Sequence, residues 1–341
     1  MTCSQFWKKQ EKVFTPTDDL AVIQHNQLIK HRKMTLQQME YIIAVDKFRH
    51  FGNAAEHCGV TQPTLSAMIQ KLEDELGLKI FDRSKQPVMP TSSGTLVIQQ
   101  AQQVLMQVGR IKDIVNEEKQ SLKGKFKLGI LPTIAPYLLP RFLTKMMKKY
   151  PLLDIRVTEM KTHEIKTALT RGEIDAGIVA NLSDMDNFKK TTLFFEPFHV
   201  YLSRESILFS RDVIRTSDLA EEQLWLLDEG HCFRDQIVKF CQLKNARSSQ
   251  DMYKLGSIET FMRMVEYAGG TTFIPELAVL QLSEQQKELV RPFAIPCPTR
   301  QIIILTNENY IRNALLETLA QEIRASVPNA LLSQKSTQIL I

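Results

Sequence analysis

GNAAEHCGVTQPTLSAMIQKLEDELG, residues 52–77, decides how the first third of this chain folds. Asn53 is placed to cap a short helix, Ala54 to Cys58, which Gly59 stops. Thr61 then caps a second helix, with Pro63 in its first turn, where a missing N–H costs nothing. Leu65, Met68, Ile69, Leu72 and Leu76 recur at helical spacing and form its buried stripe. Helix, glycine-containing turn, helix is the pattern of a helix-turn-helix. Upstream, MTLQQMEYIIAVDKFRHF (34–51) sets Leu36, Met39, Tyr41, Ile42 and Val45 near helical spacing and predicts a further amphipathic helix.

Thr61, Gln62, Pro63, Thr64 and Ser66 occupy the exposed first turn of the second helix. Short polar side chains there reach base edges and phosphates when a helix end enters a major groove. KIFDRSKQPVMPTSSG (79–94) predicts a two-stranded wing, with Arg83 and Lys85 directed at phosphates. A helical pair used for protein contacts is the competing reading. Residues 34–90 carry six Lys/Arg against seven Asp/Glu, so the module is not a basic body. Glu73, Asp74 and Glu75 fall at the far end of the helix, away from the proposed groove contact.

Before this module, residues 1–33 read as a disordered polar extension ending in Lys30-His31-Arg32-Lys33, or as sequence upstream of a start at Met34. After it, residues 93–121 lack proline and repeat apolar residues every three or four positions, from Leu96 to Val115. A helix of that length spans ~40 Å. Its apolar stripe needs a partner, and a second copy of the chain is the expected one. Beyond Leu122 the pattern becomes α/β: apolar strands at KLGILPT (127–133), LDIRVTEM (153–160) and IDAGIVA (174–180) alternate with helical segments, which predicts a mostly parallel sheet. LFFEPFHVYLS (193–203) is strand-like and suited to cross into a second lobe. LWLLDEG (224–230) reads as another strand, and RQIIILT (300–306) as the last, before a closing helix at 313–327. Ligands in such sheets sit beyond the carboxyl ends of strands, near Thr133, Thr162 and His231 here.

Bulk properties narrow the class. The chain has 341 residues, 43 % hydrophobic and 24 % charged, with a formal net charge of +5. That fits a multi-domain globular protein and permits, without demanding, a polyanionic partner. No apolar run is long enough to span a bilayer, and the first residues lack a secretory leader's apolar core, so a cytoplasmic setting is expected. Five scattered cysteines are not a disulfide framework, and no Cys/His cluster has zinc spacing, so no metal or organic cofactor is expected. Within GHCFRDQIVKFC (230–241), Cys232 and Cys241 read either as small core residues or as a reactive pair. Cys58 and Cys297 read as ordinary, in a helix-pair core and a proline-flanked loop. His163 reads as a surface group.

Over essentially the whole chain from Met34, the sequence resembles a LysR-type transcriptional regulator, most plainly at AAEHCGVTQPTLSAMIQKLEDELGLKIFDR (54–83). GILPTIAPYLLP (129–140), KTHE (161–164), LLDEGHCFRDQ (226–236) and Cys241 resemble the peroxide-sensing members of that family. The resemblance implies an α/β chain with a winged helix-turn-helix at 34–92, a linker and dimerisation helix at 93–122, and a two-lobed regulatory domain like a periplasmic binding protein at 123–335. Lobe I would take 123–194 and 306–335, and lobe II 195–305. It implies a homodimer that assembles to a homotetramer on double-stranded DNA and recruits RNA polymerase to activate oxidative-stress genes. It also implies that hydrogen peroxide oxidises Cys232 and that Cys241 then closes a reversible disulfide. Thr133, Thr162, His231, Asp235 and Arg300 fall where peroxide-pocket and cysteine-tuning residues lie. Arg234, two positions past Cys232, is a further source of charge. Gly52-Asn53 departs from the family pattern, where arginines are common.

RDQIVKF between the two cysteines has no helix breaker. On a helix, nine positions put the two backbones ~13 Å apart and on opposite faces. A disulfide needs Cα atoms within ~7 Å, so closing it must unwind this segment. Two other functions stay open: a LysR-type regulator answering a small metabolite with the cysteines incidental, and a thiol peroxidase, for which the N-terminal module has no use.

Overall fold

The computed structural model describes residues 34–118, 122–220, 222–228, 231–243 and 257–341. The extension at 1–33, with its basic run and Cys3, lies outside them, as do Glu229 and Gly230. The chain divides between Leu105 and Met106 into two compact units.

The first unit is three helices and a wing. Helix α1 (Leu36–Phe48) opens on a capping box between Thr35 and Gln38, and the Gln38 side chain also donates to the Met68 carbonyl. Helix α2 (Phe51–His57) is capped by His50, whose Nδ1 accepts from the Gly52 and Asn53 amides. The expected Asn53 cap is therefore wrong by three positions: an imidazole replaces the more usual short polar side chain, and Asn53 lies inside the first turn. Helix α3 (Gln62–Leu76) is capped by Thr61 and ends on Gly77 at φ 68°. Strands β1 (Phe81–Asp82) and β2 (Met89–Pro90) pair antiparallel as the wing. Tyr41, Ile42, Val45, Ala54, Leu65, Ile69, Leu72 and Phe81 close the core. Helix α4 (Ser92–Glu118) comes next. A Cβ on Gly94 would stand 2.0 Å from the Ile80 carbonyl oxygen, so only glycine lets this helix start against the wing.

The second unit is built on strands β3 (Gly124–Ile130), β4 (Leu153–Glu159), β5 (Ala176–Ala180) and β6 (Phe188–Leu202), with helices α5 (Ala135–Lys149) and α6 (Thr162–Arg171). It continues through α7 (Cys232–Phe240), α8 (Ile258–Ala268), β7 (Thr271–Pro275), α9 (Glu276–Val279), α10 (Glu284–Lys287), β8 (Val290–Pro292), β9 (Cys297–Asn307), α11 (Asn313–Arg324) and β10 (Gln338–Leu340). Strand order is β4-β3-β5-β9-β6-β7, with β8 on β6 and β10 on β9.

The sheet is mixed rather than mostly parallel. β3 pairs parallel with β4 and β5, but β9 runs antiparallel to β5 and β6, and β6 antiparallel to β7 and β8. The reason is that no helix separates β5 from β6. The fifteen-residue β6 passes from one lobe into the other, and β9 returns along it from Pro197↔Thr299 to Phe188↔Asn307. Of the stretch expected as a strand at 224–230, the described residues 224–228 make one isolated bridge, Leu224↔Thr271, although Leu224 to Leu227 are all buried. Apolar runs of four residues serve a buried coil as well as a strand. Cys297 opens β9 instead of lying in a loop.

Candidate functional site

The DNA-facing candidates lie together on unit one. Thr61, Gln62, Pro63 and Thr64 are exposed at the start of α3, and Ser66 is half-buried behind them. The Thr61 and Thr64 hydroxyls are 2.9 Å apart. Arg83 is held in place: it donates to Ser66 Oγ at 3.0 Å, pairs with Glu73 at 3.5 Å, and lies over the Phe51 ring. Lys85 is exposed and pairs loosely with Asp82 at 3.6 Å. Glu73, read from sequence as lying at the far end of the helix from the groove contact, is 1 % exposed. It accepts from the Ile80 and Phe81 amides at 2.8 and 3.2 Å, tying the wing to α3. Composition held no sign of this, because the partners are backbone groups.

The cysteine candidates converge in unit two. Cys232 is the first residue of α7 and Cys241 its C-cap; both are buried and free. Thr162 is the first residue of α6. Two helix N-termini thus meet, and each favours negative charge. The Thr162 hydroxyl faces the Cys232 sulfur and favours its ionised form, yet it is buried without a full hydrogen bond in the fold.

Arg300 completes the site. It is fully buried, and its guanidinium pairs with Glu196 at 2.8 Å, donates to Thr133 Oγ1 and the Thr133 carbonyl at 3.0 Å each, and lies 5.1 Å from the Phe233 ring. Glu196 in turn accepts from the Leu277 amide at 3.0 Å. This carboxylate was not among the sequence candidates. Its place opposite Arg300 is set by the β6–β9 register, Glu196↔Arg300. A lone acid inside an apolar strand, LFFEPF, was the available signal.

Burial pushes the Cys232 thiol up, against the pull of Thr162, Arg300 and the Phe233 amide; Asp235 reinforces the rise. Burial pushes Cys241 up to about 12. His231, buried before Cys232, is pushed down by burial and by Lys161, which favours neutral imidazole. Arg234 pairs with the exposed Asp235 at 3.4 Å, so the cation that acts on Cys232 is Arg300. Thr133, Thr162, Arg300 and His231 are therefore gathered at or around the α7 N-terminus, whereas Asp235 is exposed and Arg234 is half-buried beside Trp225, Phe233 and Phe273. His163 is exposed and Cys58 is half-buried against the first core. Among the described residues no group of three or more His, Cys, Asp or Glu side chains is placed to hold a metal, and no helix is long and apolar enough to cross a membrane.

Helix α7 ends on Gln242 at φ 52°, a left-handed conformation that strains a side-chain-bearing residue. The helix over 232–240 keeps the cysteine backbones ~13 Å apart.

The family model "Bacterial regulatory helix-turn-helix protein, lysR family" matches residues 36–95, and "LysR substrate binding domain" matches 119–328. A protein of Pectobacterium carotovorum subsp. carotovorum, "Hydrogen peroxide-inducible genes activator", is 33 % identical over 291 residues, covering 85 % of this chain and 96 % of its own. A full-length OxyR variant structure from Pseudomonas aeruginosa is 35 % identical, with TM-score 0.70, covering 85 % of this chain and 98 % of that one. The crystal structure of OxyR from Porphyromonas gingivalis is 45 % identical, with TM-score 0.60, covering 64 % and 99 %.

Proposed function

The chain belongs to the LysR family of bacterial helix-turn-helix regulators, and we propose that within it the chain is a hydrogen-peroxide sensor that switches transcription through Cys232 and Cys241. One observation carries this reading. A buried hydroxyl with an unmet hydrogen-bonding capacity, Thr162 Oγ1, faces a buried thiol where two helix N-termini meet. A small, polar, uncharged oxidant suits such a site: it gains hydrogen bonds and carries no charge into the interior. The Pectobacterium relative is named as an activator of hydrogen-peroxide-inducible genes, which supports the same reading.

Neutral His231 is in the form that accepts a proton, and Arg300 and the α7 N-terminus stabilise the thiolate once formed. The Cys232 sulfur attacks one peroxide oxygen; an S–O bond forms, the O–O bond breaks, and the leaving hydroxide takes up the thiol proton as water. Cys241 sulfur then displaces the sulfenic oxygen, which leaves as a second water while the S–S bond forms. Two electrons pass from the two sulfurs to one peroxide. Helix α7 must unwind for the second step, and the strained Gln242 makes its end the natural place to begin. Gln242→Gly relieves that strain and steadies the helix, so disulfide closure slows about threefold to fivefold in stopped-flow fluorescence. Faster closure would contradict a switch that starts by unwinding.

The oxidised form is proposed to rearrange a homodimer, itself half of a homotetramer on double-stranded DNA, and to recruit RNA polymerase in the cytoplasm. Leu96, Ile111 and Ile114 stand 67, 63 and 52 % exposed on α4, an apolar stripe fit for a second copy. On DNA, Gln62→Ala is expected to relax base preference at one position, costing about 1–3 kcal/mol on the best operator. Lys85→Ala would instead weaken all sequences alike and lower the salt slope by about one. Fluorescence anisotropy across a salt series separates the two.

Mass spectrometry of alkylated peptides before and after one equivalent of peroxide tests the central reading. A loss of two hydrogens joining the Cys232 and Cys241 peptides, with about one peroxide consumed per chain, is expected. Two thiols that remain alkylatable would favour a regulator answering a small metabolite near Thr133 and Thr162, and sustained peroxide turnover would indicate an enzyme.

A further inference from the structure

We propose that the last residues of the chain form a latch that holds helix α7 in its reduced, helical state; the inference rests on the peroxide-switch reading above. The family model for the regulatory domain ends at residue 328, so residues 329–341 lie outside the shared pattern. There the chain is anchored by buried Leu331 and returns to the sheet. The Cys297 amide donates to the Thr337 carbonyl at 2.8 Å, β10 pairs parallel with β9 from Gln338↔Cys297 to Leu340↔Thr299, and the Ile341 amide donates to the Thr299 carbonyl at 3.1 Å. This strand lies on the three residues that lead into Arg300. It ends on the switching helix: the Gln236 side-chain amide donates to the Ile341 carbonyl oxygen.

Gln236 is the informative residue. It sits between the two cysteines and is 6 % exposed, and its own side-chain oxygen is buried without a hydrogen bond. A half-satisfied amide is a poor core residue, since an apolar side chain of the same size would pack there without an orphaned oxygen. What this amide contributes is its bond to the chain's last strand. Residue 236 cannot keep that position when 232 and 241 are brought within disulfide distance, because the helix that places it is the helix that must unwind. Unwinding therefore costs the Gln236–Ile341 bond and loosens the end of β10. A two-state element whose one state is braced by a separate strand has its threshold set by that brace.

The test uses the intact chain first. Hydrogen exchange is followed by mass spectrometry at residues 338–341, in the reduced chain and after one equivalent of peroxide. Protection in the reduced state, falling about tenfold or more on disulfide closure, is expected. Cys241→Ser, which cannot close the bond, should keep its protection after peroxide. Equal protection in both states of the intact chain would overturn the latch. A chain ending at Lys335 is then compared in the rate of closure from trapped sulfenic acid. About fivefold faster closure is expected, the factor that one neutral hydrogen bond is worth in an equilibrium; an unchanged rate in a chain that melts as the full one does would also overturn it. If the intact chain forms no 232–241 disulfide at all, the failure lies with the peroxide switch and not with the latch.

Discussion

Cys232→Ser is expected to abolish peroxide-driven oxidation of the regulatory unit and, with it, the transcriptional response, whereas Cys241→Ser is expected to stop the proposed reaction one step later. The two side chains are at opposite ends of the same helix, but only Cys232 stands at a helix N-terminus with Thr162 and Arg300 acting on its sulfur. Cys241 feels burial alone, which pushes it to about 12. A thiol so disfavoured as an anion is a poor first nucleophile at neutral pH. Dimedone labelling of the peroxide-treated proteins reads the difference: no adduct in Cys232→Ser, and a persistent Cys232 adduct in Cys241→Ser. An adduct on Cys241 in the Cys232→Ser chain would reverse the assigned order.

The pH dependence has a definite sign. Burial raises the Cys232 pKa, so the thiol is the resting form at neutral pH and the reactive thiolate is a minor species. Oxidation should therefore accelerate as pH rises through about 6 to 8, approaching roughly tenfold per unit. A rate that is flat over that range would mean the thiolate already predominates in the resting state.

The second large effect concerns Arg300. Arg300→Met leaves the Glu196 carboxylate buried with the Leu277 amide and no countercharge, and it releases Thr133. Removing one partner of a buried pair costs about 3–5 kcal/mol. Urea denaturation of the second unit should show a loss of that size. The pair also offers a way to divide stability from reactivity. Adding Glu196→Leu to Arg300→Met removes the orphaned charge and should recover most of the stability, since a buried pair is readily replaced by apolar groups. It should not recover the rate of Cys232 oxidation, because the cation that favours the thiolate is still absent. If the double variant regains both, Arg300 is a structural residue and its role in tuning the cysteine fails.

Local pattern alone carried much of this protein. The Thr61 cap, Pro63 in the first turn and the stripe from Leu65 to Leu76 lie within one helix, so their spacing reveals it without knowledge of what they pack against. The helix between Cys232 and Cys241 was legible for the same reason: seven residues without a breaker declare their conformation. The cysteine pair itself is a weaker case: its spacing fits core residues and redox groups alike, and only the surrounding motifs favour the second.

Tertiary structure decided what depends on partners distant in the chain. Glu196 and Arg300 are separated by 104 positions and meet only because β6 and β9 run antiparallel with that register. The direction of β9 depends in turn on β6 crossing between lobes without a helix; the apolar run at 193–203 marks a strand suited to cross, but nothing local to it marks the antiparallel return of β9 along it. His50 displaced Asn53 as the α2 cap because helix start is settled by where the preceding chain turns after Arg49 in a left-handed conformation. Leu224 to Leu227 are apolar enough for a strand and become buried coil, because burial is a demand of the core and strand pairing a demand of neighbouring edges. Residues 338–341 gave no sign of importance in sequence; they matter through hydrogen bonds to Thr299 and Gln236. Helical spacing is a property of adjacent residues and can be read from them, while register, ion pairing and the closure of a sheet are properties of segments brought together by the whole fold.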